Sequence, residues 1–510
     1  MANYIMLQGT SSHVGKSILT TALCRIFYQE GRRVVPFKAQ NMALNSYVTK
    51  DGREMGRAQV AQAEAAHLEP SVEMNPVLLK PTGNSCSQVV LMGRPIGNMS
   101  AREYHQGYSL KAFDTVKAAL QQLDINYETI VIEGAGSPAE VNLKANDIVN
   151  MRIAKHLQAP VLLIADIDRG GALASLVGTL ELLDEEERAL VKGLVINKFR
   201  GDISLLQPAV DFLEKKTGKP VLGVIPHIEQ LGIDDEDSVS LEEKQDFSMK
   251  GDLQIAVIQT PKISNFTDFS CLAGEEDVSL YYVQNQASLG KPDLILLPGS
   301  KNTTEDLLYL RASGLDKCLQ QAVKQGIPLI GICGGYQMLG QEILDPQHTE
   351  SAHDQVNGLG FLGMRTIFSA SKLTSQVQAA CKNLYFLGQN ISCEQLSGYE
   401  IHMGKTEFTA EQDFHPFYIT QRSNESCYAE EGCARRDGLV FGTYIHGLFD
   451  HDGFRRAILN ALRSKKGLLP RENTRNVYAE KEESYNRLAA IVRKHLDMEK
   501  LHEIMGDVAR

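Results

Sequence analysis

Residues 3–29 read NYIMLQGTSSHVGKSILTTALCRIFYQ, and the fold of the first half is decided there. NYIMLQ is a short apolar strand. The small-residue loop GTSSHVGKS (9–17) follows it. After the loop, Ile18, Ala22, Leu23, Ile26 and Phe27 recur at helical spacing, and Gly31 closes the helix. A strand, a glycine-rich loop and a helix in that order make a phosphate cradle. Gly9, Thr10 and Gly15 let the backbone approach an anion, and the helix N-terminus favours negative charge. Lys16 is placed to reach the β- and γ-phosphates of ATP, with Ser17 on Mg²⁺.

The same pattern repeats outward from this loop. VVPFKAQ (34–40), TIVIEGAG (129–136), APVLLIADI (159–167) and GLVINKF (193–199) read as buried strands separated by helical stretches. Such alternation predicts a parallel, doubly wound sheet. GIDDEDSVSLEEKQDFSMK (232–250) is dense in acids and poor in large apolar residues, and reads as a linker. Alternation then restarts with LQIAVIQ (253–259), SLYYVQ (279–284), PDLILLPGS (292–300), IPLIGICGG (327–335) and VFGTYIHGLF (440–449). The expected organisation is two doubly wound α/β domains, at 1–231 and 251–452, joined by 232–250. A helical segment over 453–510 would carry an apolar stripe of Tyr485, Leu488, Val492 and Leu496.

Composition narrows the function. The chain has 510 residues, 43% hydrophobic and 23% charged, as soluble globular proteins have. A formal charge of -11 argues against nucleic acid as a partner. No apolar run reaches the ~20 residues of a membrane span. The nine cysteines include no C-x-x-C pair, so neither a zinc ribbon nor a redox dithiol is supported, and their spread fits a reducing compartment. The start, MANYIMLQGT, lacks a signal-peptide pattern. A cytosolic enzyme is expected; oligomeric state is not legible.

Two further clusters carry chemistry. Glu133 ends a buried strand, where its carboxylate suits Mg²⁺. Asp166 and Asp168 end another, facing an acceptor, the metal, or only the next helix. Lys38, Gln40, Asn41 and Asn45 follow the second strand, where ligands bind in open α/β sheets. In the second half, LIGICGGYQMLG (329–340) sets Cys333 on a sharp strand-to-helix turn beside Gly334 and Gly335. That geometry activates a thiol nucleophile, with Gly334 N–H and a second donor near Gly299 and Ser300 stabilising an oxyanion. His446 in GTYIHGLF is the expected base, with His402 in GYEIHMG as competitor.

The Cys333 and His446 motifs resemble class I glutamine amidotransferases, which release ammonia from glutamine through a thioester. Many members carry a glutamate two residues after the histidine. Here that position is Leu448, as in the cobyrinate-type branch, so what orients His446 stays open. The phosphate loop, one residue longer than the usual Walker spacing, resembles that of dethiobiotin synthetase. In such relatives the residue at Asn197 reads adenine. PFKAQNMALNSYVTKDGREMGRAQVAQA, MNPVLLKP, SQVVLMG, VIEGAGSPAEVNL, ADIDRGG, VINKFRGD, QTPKISNFTDF, LPGSKNT and GTYIHGLFDHDGFRR are similar to the cobyric acid synthase family. That resemblance implies ATP- and glutamine-dependent amidation of the b, d, e and g carboxylates of a corrinoid, adenosylcobyrinic acid a,c-diamide. Readings kept beside it are an a,c-diamide synthase, another carboxylate amidotransferase, and a P-loop regulatory ATPase with an inactive glutaminase module.

Overall fold

The computed structural model describes residues 2–83, 85–228, 231–233, 251–409, 413–472 and 475–506, apart from the side chain at 383. The acidic stretch expected as a linker lies almost wholly outside them. The chain divides into two compact units. One contains Met1–Ala43, Met55–Glu236 and Tyr478–Arg510; the other contains Leu44–Glu54 and Asp237–Val477.

The first unit is built on a six-stranded sheet. Its order is Val221–Pro226, Val191–Phe199, Val161–Asp166, Asn3–Gly9, Thr129–Glu133, Val34–Phe37, and every pairing is parallel. The central strands are buried along nearly their whole length, as a sheet covered on both faces requires. The strand Asn3–Gly9 sits between Val161–Asp166 and Thr129–Glu133, so its loop opens beside Asp166 and Glu133. The helix Lys16–Gln29 starts from Gly15 at φ 96, a left-handed conformation that a side chain would resist. A small sheet of Gln40–Met42, Val77–Gly83, Cys86–Leu91 and Arg94–Ser100 is added, antiparallel except for its first pair.

The second unit repeats the theme. Its main sheet runs Val278–Val283, Leu253–Ile258, Leu294–Leu297, Leu329–Ile332, Val440–Thr443, Cys433–Ala434, parallel except for the last pair. Beside it lies a four-stranded antiparallel sheet dominated by the hairpin Leu373–Phe386 and Gln389–His402. Sequence periodicity had not marked that hairpin.

The units divide the chain differently from the sequence expectation. Residues 453–510 are not one segment. Helix Asp452–Lys465 belongs to the second unit: Phe454, Leu459 and Leu462 enter its core. Its Arg455 and Arg456 pair with the buried Glu275, and Arg456 and Arg463 with Asp277. From Tyr478 onward the chain rejoins the first unit, where Tyr485, Leu488, Val492 and Leu496 share a core with Ile5, Leu7 and Leu23. Residues Leu44–Glu54 leave the first unit for the second. Among the described residues no helix is long and apolar enough to cross a membrane.

Candidate active sites

The phosphate loop is held from beneath by side chains. Asn197 Nδ2 donates to Val14 O at 2.8 Å, and Gly15 packs so tightly on that carboxamide that a Cβ would sit 2.2 Å from Nδ2. Lys16 Nζ donates to Ser11 O and Gly136 O, at 3.0 and 3.2 Å. Lys198 Nζ donates to His13 O and pairs with Asp166 at 2.9 Å. Asp168 pairs with Arg200 at 3.1 Å and takes its backbone N–H to Asp166. Both aspartates are therefore engaged with basic residues at the end of strand Val191–Phe199 and just after it.

Glu133 is the hub of this unit. It is fully buried. Oε1 accepts from Ser17 Oγ at 2.7 Å and from Lys38 Nζ at 2.9 Å, while Oε2 accepts from Gln62 Nε2 at 2.6 Å. Asn41 reaches the same cluster through Gln59, at 2.9 Å. Gln40 Oε1 accepts from Tyr104 OH instead. Lys38 and Asn41 thus gather around Glu133, whereas Asn45 lies in the second unit. Ser17 and Glu133 offer the oxygen donors that Mg²⁺ prefers, and such a site keeps most of its coordination for water and phosphate. Among the described residues no group of three or more His, Cys, Asp or Glu could hold a metal ion. Glu54 pairs with Lys372 within the second unit.

In the second unit Cys333 occupies φ 51, ψ -108, between strand Leu329–Ile332 and helix Gly334–Leu339. A side chain rarely adopts that backbone without a functional reason. The glycines after it are required by close approach: a Cβ on Gly335 would sit 2.0 Å from Leu297 O, and one on Gly334 2.7 Å from Ser300 N. It is therefore the backbone of Ser300 that faces the elbow. Gly299, named with Ser300 as a source of the second donor, lies beside Ser264 and the histidine: a Cβ on it would sit 3.1 Å from Ser264 O and 3.4 Å from His446 Cε1.

His446 is buried and fixed on three sides. Its backbone exchanges hydrogen bonds with Tyr399, and its ring stacks on the Tyr399 ring at 5.0 Å. Nδ1 lies 2.7 Å from Asp268 Oδ2, and Asp268 Oδ1 accepts from Gly447 N at 3.0 Å. Burial pulls the imidazole pKa down, but Asp268 and then Cys333 outweigh it and hold it up at about 10. With Nδ1 committed to Asp268, Nε2 is the nitrogen left for the thiol, and it has no partner among the described residues. Cys333 Sγ lies 3.6 Å from Ile401 O. Glu431 anchors the approach to His446, accepting from Thr443 Oγ1 and Tyr444 N at 2.6 Å each.

Asp268 answers what position 448 left open, and sequence reasoning missed it. Its only signal was being the one acid in QTPKISNFTDF. The competitor His402 has no carboxylate partner among the described residues. Burial drives its pKa down to about 3, so it stays neutral.

A family profile described as CobQ/CobB/MinD/ParA nucleotide binding domain matches residues 5–239. One described as CobB/CobQ-like glutamine amidotransferase domain matches residues 254–454. Cobyric acid synthase from Moorella thermoacetica is 53% identical over 509 residues, covering 99% of this chain and 98% of its own. The Dehalococcoides mccartyi protein of that name is 49% identical over the whole length of both chains. The chain belongs to the cobyric acid synthase family. Cobyric acid synthases are glutamine amidotransferase ligases of cobalamin biosynthesis, and this chain is an enzyme of that kind. Full-length identity, with both chemical units matched, removes the reading as a regulatory ATPase with an inactive glutaminase module.

Proposed function

We propose that this enzyme converts adenosylcobyrinic acid a,c-diamide to adenosylcobyric acid, amidating the b, d, e and g carboxylates with ATP and glutamine. Full-length identity to cobyric acid synthases carries the reading, because it spans both a phosphate-loop unit and a Cys333–His446–Asp268 unit.

In the glutaminase unit, Cys333 Sγ gives its proton to His446 and attacks the glutamine carboxamide carbon. The developing oxyanion is met by the N–H groups of Gly334 and Ser300. His446, charged and held by Asp268, gives its Nε2 proton to the departing nitrogen, and ammonia leaves. Water, giving a proton to His446, then cleaves the thioester to glutamate and regenerates the thiol.

In the other unit a corrinoid carboxylate oxygen attacks the γ-phosphorus of ATP, and ADP leaves. A carboxylate alone is a poor acyl donor; the acyl phosphate is a good one. Ammonia adds to its carbonyl carbon, phosphate leaves and one proton is lost. Lys16 binds the transferring phosphoryl oxygens. Mg²⁺, held by Ser17 and Glu133, would supply charge neutralisation on the phosphates. Lys38 screens Glu133 and sits where the acceptor carboxylate is expected, with Gln40, Asn41, Asn45, Asp166 and Asp168 as further acceptor or nucleotide residues. Asn197 would touch the adenine or only brace the loop that it bonds.

Mass spectrometry of adenosylcobyrinic acid a,c-diamide with enzyme, Mg-ATP and amide-¹⁵N glutamine tests this. Stepwise gain of labelled amides is expected. Gain only on an earlier corrinoid would assign the a,c-diamide synthase activity instead, and consumption of glutamine and ATP without labelled corrinoid would point to another carboxylate.

A further inference from the structure

The glutaminase unit holds a second imidazole that the steps above leave unused. His402 ends the strand Gln389–His402, next to Ile401, whose carbonyl faces Cys333 Sγ. Its ring lies flat on Tyr444, with centroids 3.7 Å apart and planes 12° apart. Nδ1 stands 3.0 Å from Gly404 O. A carbonyl only accepts, so Nδ1 carries the proton and Nε2 is an acceptor. That Nε2 is buried and has no partner among the described residues. Buried acceptors are nearly always paired, and an orphan is explained when a ligand completes it.

The neighbours indicate which ligand. Tyr444 OH accepts from Gln337 Nε2 at 3.2 Å and shares a hydrogen bond with Thr406 Oγ1 at 2.6 Å. Gln337 Oε1 accepts from Thr303 Oγ1 at 3.0 Å. Gln337 lies one helical turn after Cys333, so these side chains form a polar wall beside the nucleophile. Glutamine seated on Cys333 brings its carboxamide to His446. Its other end carries an α-ammonium, which only donates, and an α-carboxylate, which only accepts. A neutral imidazole lone pair matches the first and repels the second.

We propose that His402 Nε2 accepts a hydrogen bond from the α-ammonium of glutamine and so selects free glutamine over amides that lack this group. The proposal rests on the glutaminase reading of Cys333 and His446.

The test compares hydrolysis of glutamine and of glutaramate, which is glutamine without its α-amino group, by ammonia release. His402→Phe keeps a flat ring on Tyr444 and removes the acceptor. Its kcat/KM for glutamine is expected to fall about tenfold to a hundredfold, the range for losing a hydrogen bond to a charged group. Its kcat/KM for glutaramate should stay at the wild-type value, so discrimination collapses. Ammonium-dependent amidation in the same variant checks that the fold is intact. His402→Gln restores a neutral acceptor and should recover part of the preference; it also serves if His402→Phe does not fold. An equal loss on both substrates, or no loss on either, overturns the proposal. A wild-type enzyme that does not hydrolyse glutamine would instead remove the reading beneath it.

Discussion

Asp268 binds His446 Nδ1 with one carboxylate oxygen and Gly447 N with the other, so it sets both the tautomer and the position of the imidazole. Because its charge is a main reason that His446 stays protonated, removing it has a signed consequence. In Asp268→Asn, burial acts with less opposition and the imidazole pKa drops. The alkaline limb of the glutaminase pH profile, where His446 loses its proton, is expected about 1–3 units lower than in the wild type. An unmoved limb would mean that Asp268 does not control this proton. Linkage runs the same way. A folded-state pKa near 10 against an ordinary 6.5 gives stability that is complete below 6.5 and is lost as pH rises toward 10. Cys333→Ala should abolish glutamine-dependent amidation and leave ammonium-dependent amidation intact, measured as amide mass added to the corrinoid. The elbow at Cys333 was legible because it demands small neighbours in sequence. Asp268 was not, because it reaches His446 across 178 residues, and the position where an acid was sought holds the buried Leu448.

At the scale of elements, the strand–loop–helix of residues 3–29 and the parallel strands of both sheets were readable, since each is an apolar run bounded by turn residues. The hairpin Leu373–Phe386 and Gln389–His402 was not. Its strands alternate buried and exposed positions irregularly, interrupted by register shifts near Cys381, so no clean period of two appears. The C-terminal helix Val477–His495 was visible as a stripe, but its destination was not. Arg25 on Lys16–Gln29 pairs with Glu482 at 2.7 Å, and Tyr485 OH donates to Glu64 at 2.8 Å, so this helix is part of the nucleotide-binding core. Leu488 is fully buried there. Leu488→Ala should cost about 2–5 kcal/mol. The loss is expected in the thermal transition that Mg-ATP raises. If glutaminase unfolding falls while that transition is unchanged, the helix has been assigned to the wrong core.

The whole molecule is interleaved: the chain passes between its two units near residues 43, 54, 236 and 477. A glutaminase cut from the sequence at 251–452 would therefore lose a piece that belongs to it. In the strap Leu44–Glu54, Ser46 O accepts from Asn265 Nδ2 at 2.8 Å and from Tyr399 OH at 3.3 Å. Tyr47 packs edge-on against Tyr399 at 5.2 Å, and Val48 joins Tyr399 and Ile401 in one apolar cluster. Gln376 Nε2 donates to Val48 O at 3.0 Å, and Thr374 Oγ1 to Gly52 O at 2.7 Å. The strap thus covers Tyr399, the ring on which His446 stacks, and Ile401, whose carbonyl faces the thiol. Without it, Asn265 and Tyr399 lose a shared acceptor and the base loses its backing. A fragment of residues 237–477 is expected to hydrolyse glutamine at least about tenfold more slowly than the full chain, the cost of a buried donor left unpaired. A peptide of residues 44–54 added in trans should restore part of the rate. Equal kcat/KM for the fragment and the full chain would show that the proposed base, His446, does not need the strap. Full recovery on adding the peptide would locate the whole deficit in these eleven residues.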